Sequence, residues 1–336
     1  MDDNEEIPAP TARILNFNFQ GDGFEYFKIW IVNVLLTILT LGIYSAWAKV
    51  RTNRYFYSNL NLDGSNFRYL ANPLTILKGR VIAVITLFAF ILISNVSPEA
   101  GMLLTAILIF AIPFFINQSL AFNNRMTSYK NIQFRFKGSY GEAFMVLYVW
   151  PLVGVLTLGI LYPLALLRLN QYIVRNSAYG TSNFEFDATY KDYGIIFLIS
   201  IGIVFLFAIP IAILTVAIPE QKEIVTLPML FVYLAVFIYF TVAATNLYYR
   251  SATLNEHEFD ANLTIGGYTK VLLTNAVLIV LTLGLYLPAA KVRMTRYLVD
   301  NIQFHANGSL DYFAAAEREN ISALGEEFGQ VFEFGI

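Results

Sequence analysis

Thr40-Leu41-Gly42-Ile43-Tyr44, followed by the basic arm Lys49-Val50-Arg51-Thr52-Asn53-Arg54-Tyr55, is a pattern that this chain of 336 residues uses three times. Counted from each Thr, a Gly lies at +2, an Arg at +11, an Arg or Gln at +14, a Tyr at +15 and an Asn at +19. The copies are Thr40, Gly42, Arg51, Arg54, Tyr55 and Asn59; Thr157, Gly159, Arg168, Gln171, Tyr172 and Asn176; and Thr282, Gly284, Arg293, Arg296, Tyr297 and Asn301. A recurrence at fixed offsets indicates an internal repeat.

Three stretches carry a resemblance to a known family. LTLGIYSAWAKVRTNRY at 39–55, LTLGLYLPAAKVRMTRY at 281–297 and GEEFGQVFEF at 325–334 resemble the YjgN-like family of bacterial inner-membrane proteins, a domain of unknown function. The resemblance runs from about Phe17 to the end of the chain. It implies an inner-membrane location and a multi-pass topology, and it brings neither a known chemistry nor functional residues.

The composition independently predicts a membrane protein. Hydrophobic residues make up 57% of the chain and charged residues only 14%, whereas about a quarter of the residues of a soluble domain are charged. The chain contains no cysteine, which excludes disulfides and thiolate chemistry. Its basic residues are scattered, so no nucleic-acid surface is expected. The acidic start, MDDNEEIPAP, has no basic n-region, and the first apolar segment is therefore expected to act as the membrane signal.

The apolar segments divide the chain into repeats. Three A segments carry the Thr-Leu-Gly pattern, and two pairs of ordinary spans lie between them, each long enough to cross a bilayer. The predicted organisation is a disordered acidic tail at 1–14; repeat 1 at 15–130, with A segment 26–48 and spans 74–94 and 102–122; repeat 2 at 131–255, with A segment 143–167 and spans 195–218 and 229–248; partial repeat 3 at 256–309, with A segment 271–290; and an acidic tail at 310–336.

Charge and length disagree about the A segments. Of the 22 Lys and Arg, only Lys222 lies in a turn between paired spans. If each A segment breaks at Thr-Leu-Gly and leaves the membrane on the side where it entered, the other Lys and Arg residues all lie on the cytoplasmic face, as the positive-inside rule expects. The 23 residues of 26–48 are also enough for one straight span, with Gly42 merely allowing close helix packing. We favour re-entrant A segments with both termini cytoplasmic.

Short alternating stretches flank the A segments and predict strands. Asn16–Gly21 and Ile132–Gly138 precede A segments, and similar pieces follow the arms at 66–69, 184–186 and 301–304. Period-two alternation is typical of strands, and isolated strands of this length need partners. The predicted fold is therefore an all-α polytopic membrane protein with internal repeats and a small cytoplasmic β layer.

The repeated arms place Arg and Tyr where the chain leaves the bilayer. One interpretation is an interfacial anchor that contacts phospholipid head groups. A second is an ion pair inside each repeat, because Glu25 and Glu142 both lie 15 residues before the Thr of their copy. Re-entry would bring these carboxylates beside Arg51 and Arg168.

Polar residues inside apolar segments are costly and are candidates for function. The sequence suggests a polar path formed by Asn33, Asn117, Gln118, Asn246 and Asn275, although interhelical hydrogen bonds also account for such residues. No metal-binding or nucleophile motif occurs, so neither an enzyme nor a cofactor is expected. Two functions remain: a transporter or channel for a small polar solute between two parallel repeats, and a membrane scaffold or lipid-contacting protein that acts through the basic arms. Membrane lipids are the expected partners in either case.

Overall fold

Helices dominate the computed structural model, which describes residues 12–217 and 222–307. Most of the helices come in antiparallel pairs that connect one strand to another. In chain order they are α1 (Gly23–Leu39), α2 (Ser45–Ser58), α3 (Pro73–Val96), α4 (Pro98–Arg125), α5 (Tyr140–Phe144), α6 (Trp150–Leu156), α7 (Tyr162–Arg175), α8 (Tyr190–Ala217), α9 (Lys222–Arg250), α10 (Ile265–Leu281) and α11 (Leu287–Asp300). A π-helical turn, Met145–Val149, joins α5 to α6.

Short antiparallel strands separate the helix pairs. The strands are β1 (Ala12–Asn16), β2 (Asn18–Phe19), β3 (Leu60–Leu62), β4 (Ser65–Asn66), β5 (Arg68–Tyr69), β6 (Thr127–Tyr129), β7 (Ile132–Phe136), β8 (Ser177–Tyr179), β9 (Ser182–Phe186), β10 (Ala252–Leu254), β11 (His257–Ala261) and β12 (Ile302–Asn307). Residues 12–14, which the sequence assigned to the tail, belong to β1 because they pair with β12. The rest of that tail and the acidic tail at 310–336 lie outside the described residues.

The strands close into a ring, which we call the strand ring. The larger sheet has the order β1-β12-β11-β10-β9-β8-β7-β6-β5, and the smaller has the order β2-β3-β4. Phe17 joins β1 directly to β2, and Phe67 joins β4 directly to β5, so the sheets meet at both ends. Closure leaves no exposed sheet edge among the described strands. The predicted β layer is therefore more extensive than its separate pieces suggested.

The connections place the helices at one end of the strand ring. Tight turns join β3 to β4, β6 to β7, β8 to β9 and β10 to β11, while the other connections run through helix pairs. Positive φ angles at Asp63, Gly64, Lys130 and Asn131 suit the two-residue turns of twisted hairpins. Since the strands are antiparallel, the tight turns lie at one end of the ring. In the described residues, the five helix pairs lie at the other.

The same backbone hydrogen bond closes all five helix pairs. In each, an N–H just after the outgoing strand donates to the carbonyl at the end of the returning helix. The pairs are Gln20 N to Asn59 O at 2.9 Å, Leu70 N to Met126 O at 2.8 Å, Lys137 N to Asn176 O at 2.9 Å, Asp187 N to Ser251 O at 2.9 Å and Asn262 N to Asn301 O at 2.9 Å. The short and long helix pairs therefore share one local geometry at their base.

The Thr-Leu-Gly pattern forms the turn of each short pair. Leu41 and Gly42 have φ angles of 48° and 92°, the left-handed conformation that favours glycine at a helix end. The Thr40 hydroxyl donates to Leu36 O at 2.7 Å and accepts from Tyr44 N at 2.9 Å. Thr157 and Thr282 make the equivalent two bonds. The chain thus reverses between Leu39 and Ser45, and the turn satisfies its own polar groups.

In the described parts of the chain, four helices are long and apolar enough to span a bilayer: Pro73–Val96, Pro98–Arg125, Tyr190–Ile213 and Pro228–Arg250. They correspond to the four ordinary spans that the sequence predicted. At 1.5 Å per residue, α3 is about 36 Å long and α1, with 17 residues, about 25 Å. The hydrocarbon core measures about 30 Å. The helix α3 is therefore long enough to cross this core, and α1 is shorter than the core is thick.

Candidate ligand-binding sites

The proposed polar path is largely occupied by structural hydrogen bonds. Asn117 donates to Gly138 O at 2.9 Å and accepts from the Tyr172 hydroxyl. Asn246 makes two bonds of 2.9 Å to the backbone of Leu263. In these two residues both ends of the amide are used to position a neighbouring strand and helix, which removes them as free ligands for a solute.

The remaining path residues lie apart from these. Asn275 donates to Ala290 O at 3.1 Å and accepts from Arg293 at 3.0 Å. Asn33, at the equivalent position, is buried, and its side chain has no hydrogen-bond partner among the described residues. Gln118 is exposed on α4. None of the five path residues lines a cavity described below, and a polar path through them stays a prediction.

Replacing Asn117 is expected to affect stability. Asn117→Ala removes the bond to Gly138 and leaves the Tyr172 hydroxyl without its acceptor, at a cost of about 1–3 kcal/mol. Gln118→Ala, one residue further on the exposed side, is the matched control and should change stability by less than about 0.5 kcal/mol. Thermal unfolding of both purified variants in detergent measures this. Equal midpoints would contradict a structural role for Asn117.

Three arginines tie neighbouring helix pairs together. Each reaches from the returning helix of one pair to a carbonyl at the end of the next pair's strand. The bonds are Arg54 to Ala71 O at 3.1 Å, Arg175 to Phe186 O at 2.8 Å and Arg296 to Gly21 O at 2.6 Å. Asn117 and Asn246 act in the same way at the other two joints. The bond from Arg296 to Gly21 connects the final helix pair to the first, so the five pairs are linked all the way around the strand ring.

The repeated Asn, together with the repeated Tyr of the first and third copies, holds the short pairs at their base. Tyr55 donates to Asp22 O and accepts from Asp22 N, both at 2.7 Å. Tyr297 contacts the backbone of Thr264 in the same way, at 2.9 and 3.1 Å. Asp22 and Thr264 are the N-caps of their helices. The Asn at +19 bonds the carbonyl of the repeated Tyr in all three copies. These residues therefore stabilise the base of the helix pairs.

The predicted ion-pair residues have other partners. Arg51 donates to the Tyr44 hydroxyl at 3.0 Å, and Glu25 accepts from Tyr55 at 3.3 Å. Glu142 caps its own helix in a capping box, and Arg168 lies over the Trp150 ring, 5.5 Å from its centroid. In the part of the chain that the structure describes, ion pairs within 4.0 Å join Lys130 to Asp63 and Arg250 to Asp260. Glu25 and Glu142 both lie in the first turn of their helices, where free backbone N–H groups already stabilise a carboxylate.

A basic groove lies where α2 meets β5. Its volume is about 550 Å³, and three exposed arginines, Arg51, Arg54 and Arg68, line it beside the apolar Ile29 and Leu70. A similar groove of about 500 Å³ at the second short pair contains Arg168 and Arg175 together with the Glu142 carboxylate. The first groove is therefore the more electropositive. Arginine is well suited to bind phosphate.

The interior of the strand ring holds an apolar cavity of about 380 Å³. Five phenylalanines form a closed circle around it, and the centroids of neighbouring rings are 6.3–6.5 Å apart. A second layer of bulky side chains lies beside the circle. The circle is Phe17, Phe67, Phe134, Phe184 and Phe259, and the second layer is Leu62, Tyr129, Tyr179, Leu254 and Phe304. We call this space the Phe cavity.

Two of the three tyrosines that line the Phe cavity use their hydroxyls in hydrogen bonds to the backbone of the strand ring. The Tyr129 hydroxyl donates to Leu62 O at 2.7 Å, and the Tyr179 hydroxyl donates to Tyr129 O at 3.0 Å. Burial, with a smaller effect of the Asp63 carboxylate, raises the pKa of Tyr129. Among the described residues that line the cavity, none is Asp, Glu, Lys, Arg or His, so the wall is uncharged.

The circle of five phenylalanines was not recognised from the sequence. Each Phe stands in a short alternating stretch that begins a helix pair, and these stretches were recognised only as strands. Their separations along the chain are irregular because long and short helix pairs alternate. The shared signal is an Asn, Gln or Glu before each Phe. Among the described residues, no group of three His, Asp or Glu side chains is placed to hold a metal ion.

These features define a class: an integral membrane protein whose apolar helix pairs rise from one end of a ring of short strands. Residues 14–331 match the family described as "Bacterial protein of unknown function (DUF898)". The chain belongs to this family.

Curated relatives agree with the membrane assignment. The chain is 34% identical over 153 residues to "Inner membrane protein YjgN" of Salmonella typhimurium, covering 45% of this chain and 39% of that protein. It is 32% identical over 158 residues to the proteins of the same name in Escherichia coli O157:H7 and K12, covering 47% of this chain and 39% of each. The matches thus span well under half of those relatives. No solved structure matches the chain.

Proposed function

We propose that the protein is a non-enzymatic, lipid-contacting membrane protein that enters the inner membrane from its cytoplasmic face. In this proposal the chain consists of five copies of one unit, a strand, a helix pair and a second strand, rather than of two long repeats and a partial third. The five equivalent backbone hydrogen bonds support a common unit. The strand ring, with the chain's basic residues near it, and both termini then lie in the cytoplasm.

The basic groove beside α2 carries the lipid-binding part of the proposal. It combines Arg51, Arg54 and Arg68 with apolar residues at the base of a lipid-exposed helix pair. A phospholipid with an anionic head group matches this combination, because its phosphate meets the arginines while its chains lie along the helices. A basic residue near an anionic membrane surface contributes about 1 kcal/mol.

Lipid binding by the purified protein tests this proposal. Arg51→Gln combined with Arg68→Gln removes two charges, and we expect affinity for phosphatidylglycerol to fall by about 30-fold while phosphatidylcholine binding is unchanged. Arg54 is kept because it supports Ala71. Arg168→Gln in the second groove is the matched control and should have a smaller effect, since Glu142 already offsets charge there. Native mass spectrometry in mixed lipid counts the bound lipids. Equal phosphatidylglycerol binding in all variants would contradict the proposal.

Transport of a polar solute is the second candidate, and one observation favours it. A separate cavity of about 430 Å³ between helices is lined by Asn170, Thr241 and Thr245, and it shares Tyr249 with the Phe cavity. In this candidate the circle of phenylalanines acts as a closed hydrophobic constriction. The circle must then widen for any solute to pass. Ion flux into vesicles that contain the purified protein separates this candidate from the first.

A further inference from the structure

We infer that the Phe cavity binds a single acyl chain. The inference is independent of the basic groove, because it concerns the interior of the strand ring and a ligand part without charge. It depends on the size of the cavity, on its lining and on its position next to the membrane-embedded helices.

The size and lining of the cavity select a hydrocarbon ligand. An engineered apolar cavity of ~150 Å³ stays dry and binds benzene, and the Phe cavity, at about 380 Å³, is more than twice as large. Protein interiors are normally packed as densely as organic crystals, so a space of this size surrounded by phenylalanines is unusual for a structural core. It also falls within the range of small-molecule sites, about 300–1,000 Å³.

The hydrogen bonding of Tyr129 and Tyr179 disfavours a polar head group between the strands that line the cavity. The hydroxyls of Tyr129 and Tyr179 are both donated to backbone carbonyls of the ring, so the two tyrosines present only their ring atoms. A buried polar group without a partner is costly. The polar end of a ligand must therefore remain outside while its chain lies inside.

The position of the cavity gives an acyl chain a route from the membrane. Tyr249 of α9 and Val299 of α11 line the cavity together with residues of the strands. The cavity thus extends to the base of the helices, where α9 rises as a candidate membrane span. An acyl chain belonging to a membrane phospholipid or to a free fatty acid meets the same apolar wall, and these two sources share one chemistry.

Cavity-filling substitutions test the inference. In delipidated, full-length protein, a polyene fatty acid that fluoresces in apolar surroundings should bind saturably with one molecule per chain. Leu62→Phe combined with Leu254→Phe fills the second layer and should weaken this binding at least about tenfold. Ile14→Phe adds the same bulk to an exposed position of β1 and is the matched control. Undiminished binding in a folded filled variant, or no saturable binding in the unsubstituted protein, would overturn the inference.

A second measurement tests the inference even if the filled variant fails to fold. Unlabelled fatty acids of increasing chain length compete with the probe in the unsubstituted protein, and affinity should rise with length until the cavity is full and then level off. An affinity that keeps rising with length would point to micelles or the outer surface and would refute the cavity. Mass spectrometry of the protein before delipidation distinguishes the sources, as one phospholipid or one fatty acid per chain. The Arg51→Gln and Arg68→Gln variant should bind the probe normally, which separates this site from the basic groove.

Discussion

Single cysteines at the tight turns, at the end of a long helix pair and at the ends of the short pairs are expected to react in three different ways. Thr181→Cys and Glu256→Cys lie at the turn end of the strand ring, and a membrane-impermeant thiol reagent should reach them only after the membrane is opened. Asn95→Cys, in the last turn of α3 at the far end of the long pair, should react in intact cells. Leu41→Cys and Leu283→Cys should react with neither treatment and only with a membrane-soluble reagent.

The physical reason is the difference between the two kinds of helix end. The end of the long pair contains Asn95, Ser97 and Glu99, which require water or polar partners. Leu41 and Leu283 are each 95% exposed, and the Thr-Leu-Gly turns around them satisfy their own N–H groups. Only such a self-satisfied turn is tolerated inside hydrocarbon. A helix about 25 Å long ends before the far side of a core of about 30 Å.

The native chain provides the control, because it contains no cysteine and should not react at all. Reaction of Thr181→Cys from outside intact cells would place the turn end of the strand ring outside the cell and refute entry from the cytoplasmic face. Reaction of Leu41→Cys with the impermeant reagent would place that turn in water. Either result would leave the strand ring unchanged and would remove the proposed topology.

The sequence was informative where one residue acts through its own neighbours. Gly42 at a positive φ and the hydroxyl of Thr40 work within a few residues, so a repeated local pattern was enough to predict a break there. The four long spans were also recognisable, since an uninterrupted apolar run of 20 residues or so is typical of a membrane-spanning helix. The helices begin one to seven residues before the predicted spans, and the N-caps Asn72 and Ser97 set the beginnings of α3 and α4.

The sequence was uninformative where a partner lies in the next unit. The sequence suggested a polar path through Asn117 and Asn246 because a polar side chain in an apolar helix is costly to bury. It did not show that these side chains hydrogen-bond the backbone of Gly138 and Leu263 in the next unit. The spacing in the sequence likewise suggested that Glu25 pairs with Arg51. In the fold, Glu25 instead accepts a hydrogen bond from Tyr55, and Arg51 donates one to Tyr44. The circle of phenylalanines needs all five units at once, so no single stretch could predict it.

Arg296→Ala is expected to be the most destabilising of the arginine substitutions in the repeated arms. Its guanidinium donates to Gly21 O at 2.6 Å across 275 residues of chain, at the joint where the last helix pair meets the first. Gly21 is buried, so removing the donor leaves its carbonyl unpaired. A hydrogen bond from a charged group contributes about 1.5–3 kcal/mol.

The joint between the chain's two ends differs from the others in its connectivity. Neighbouring pairs elsewhere are also linked by a tight turn between strands. In the described residues, the last pair and the first are joined by the pairing of β1 with β12 and by the contacts of α11 with α1 and β2, with no such turn. Loss of Arg296 should therefore allow the ring to open there, while loss of Arg54 leaves a covalently linked joint. Arg54→Ala is thus the matched control, and Arg296→Lys should recover part of the loss because one N–H donor suffices.

Hydrogen exchange combined with thermal unfolding distinguishes opening of the ring from general destabilisation. In Arg296→Ala, amides of β1 and β12 should exchange faster at temperatures where β7 and β8 remain protected. The reason is that the ring separates first at the joint that no tight turn links. In Arg54→Ala, β1 and β12 should keep their protection. If both variants lose protection uniformly around the strand ring, its closure does not depend on Arg296, and the pairing of β1 with β12 alone holds the ends of the chain together.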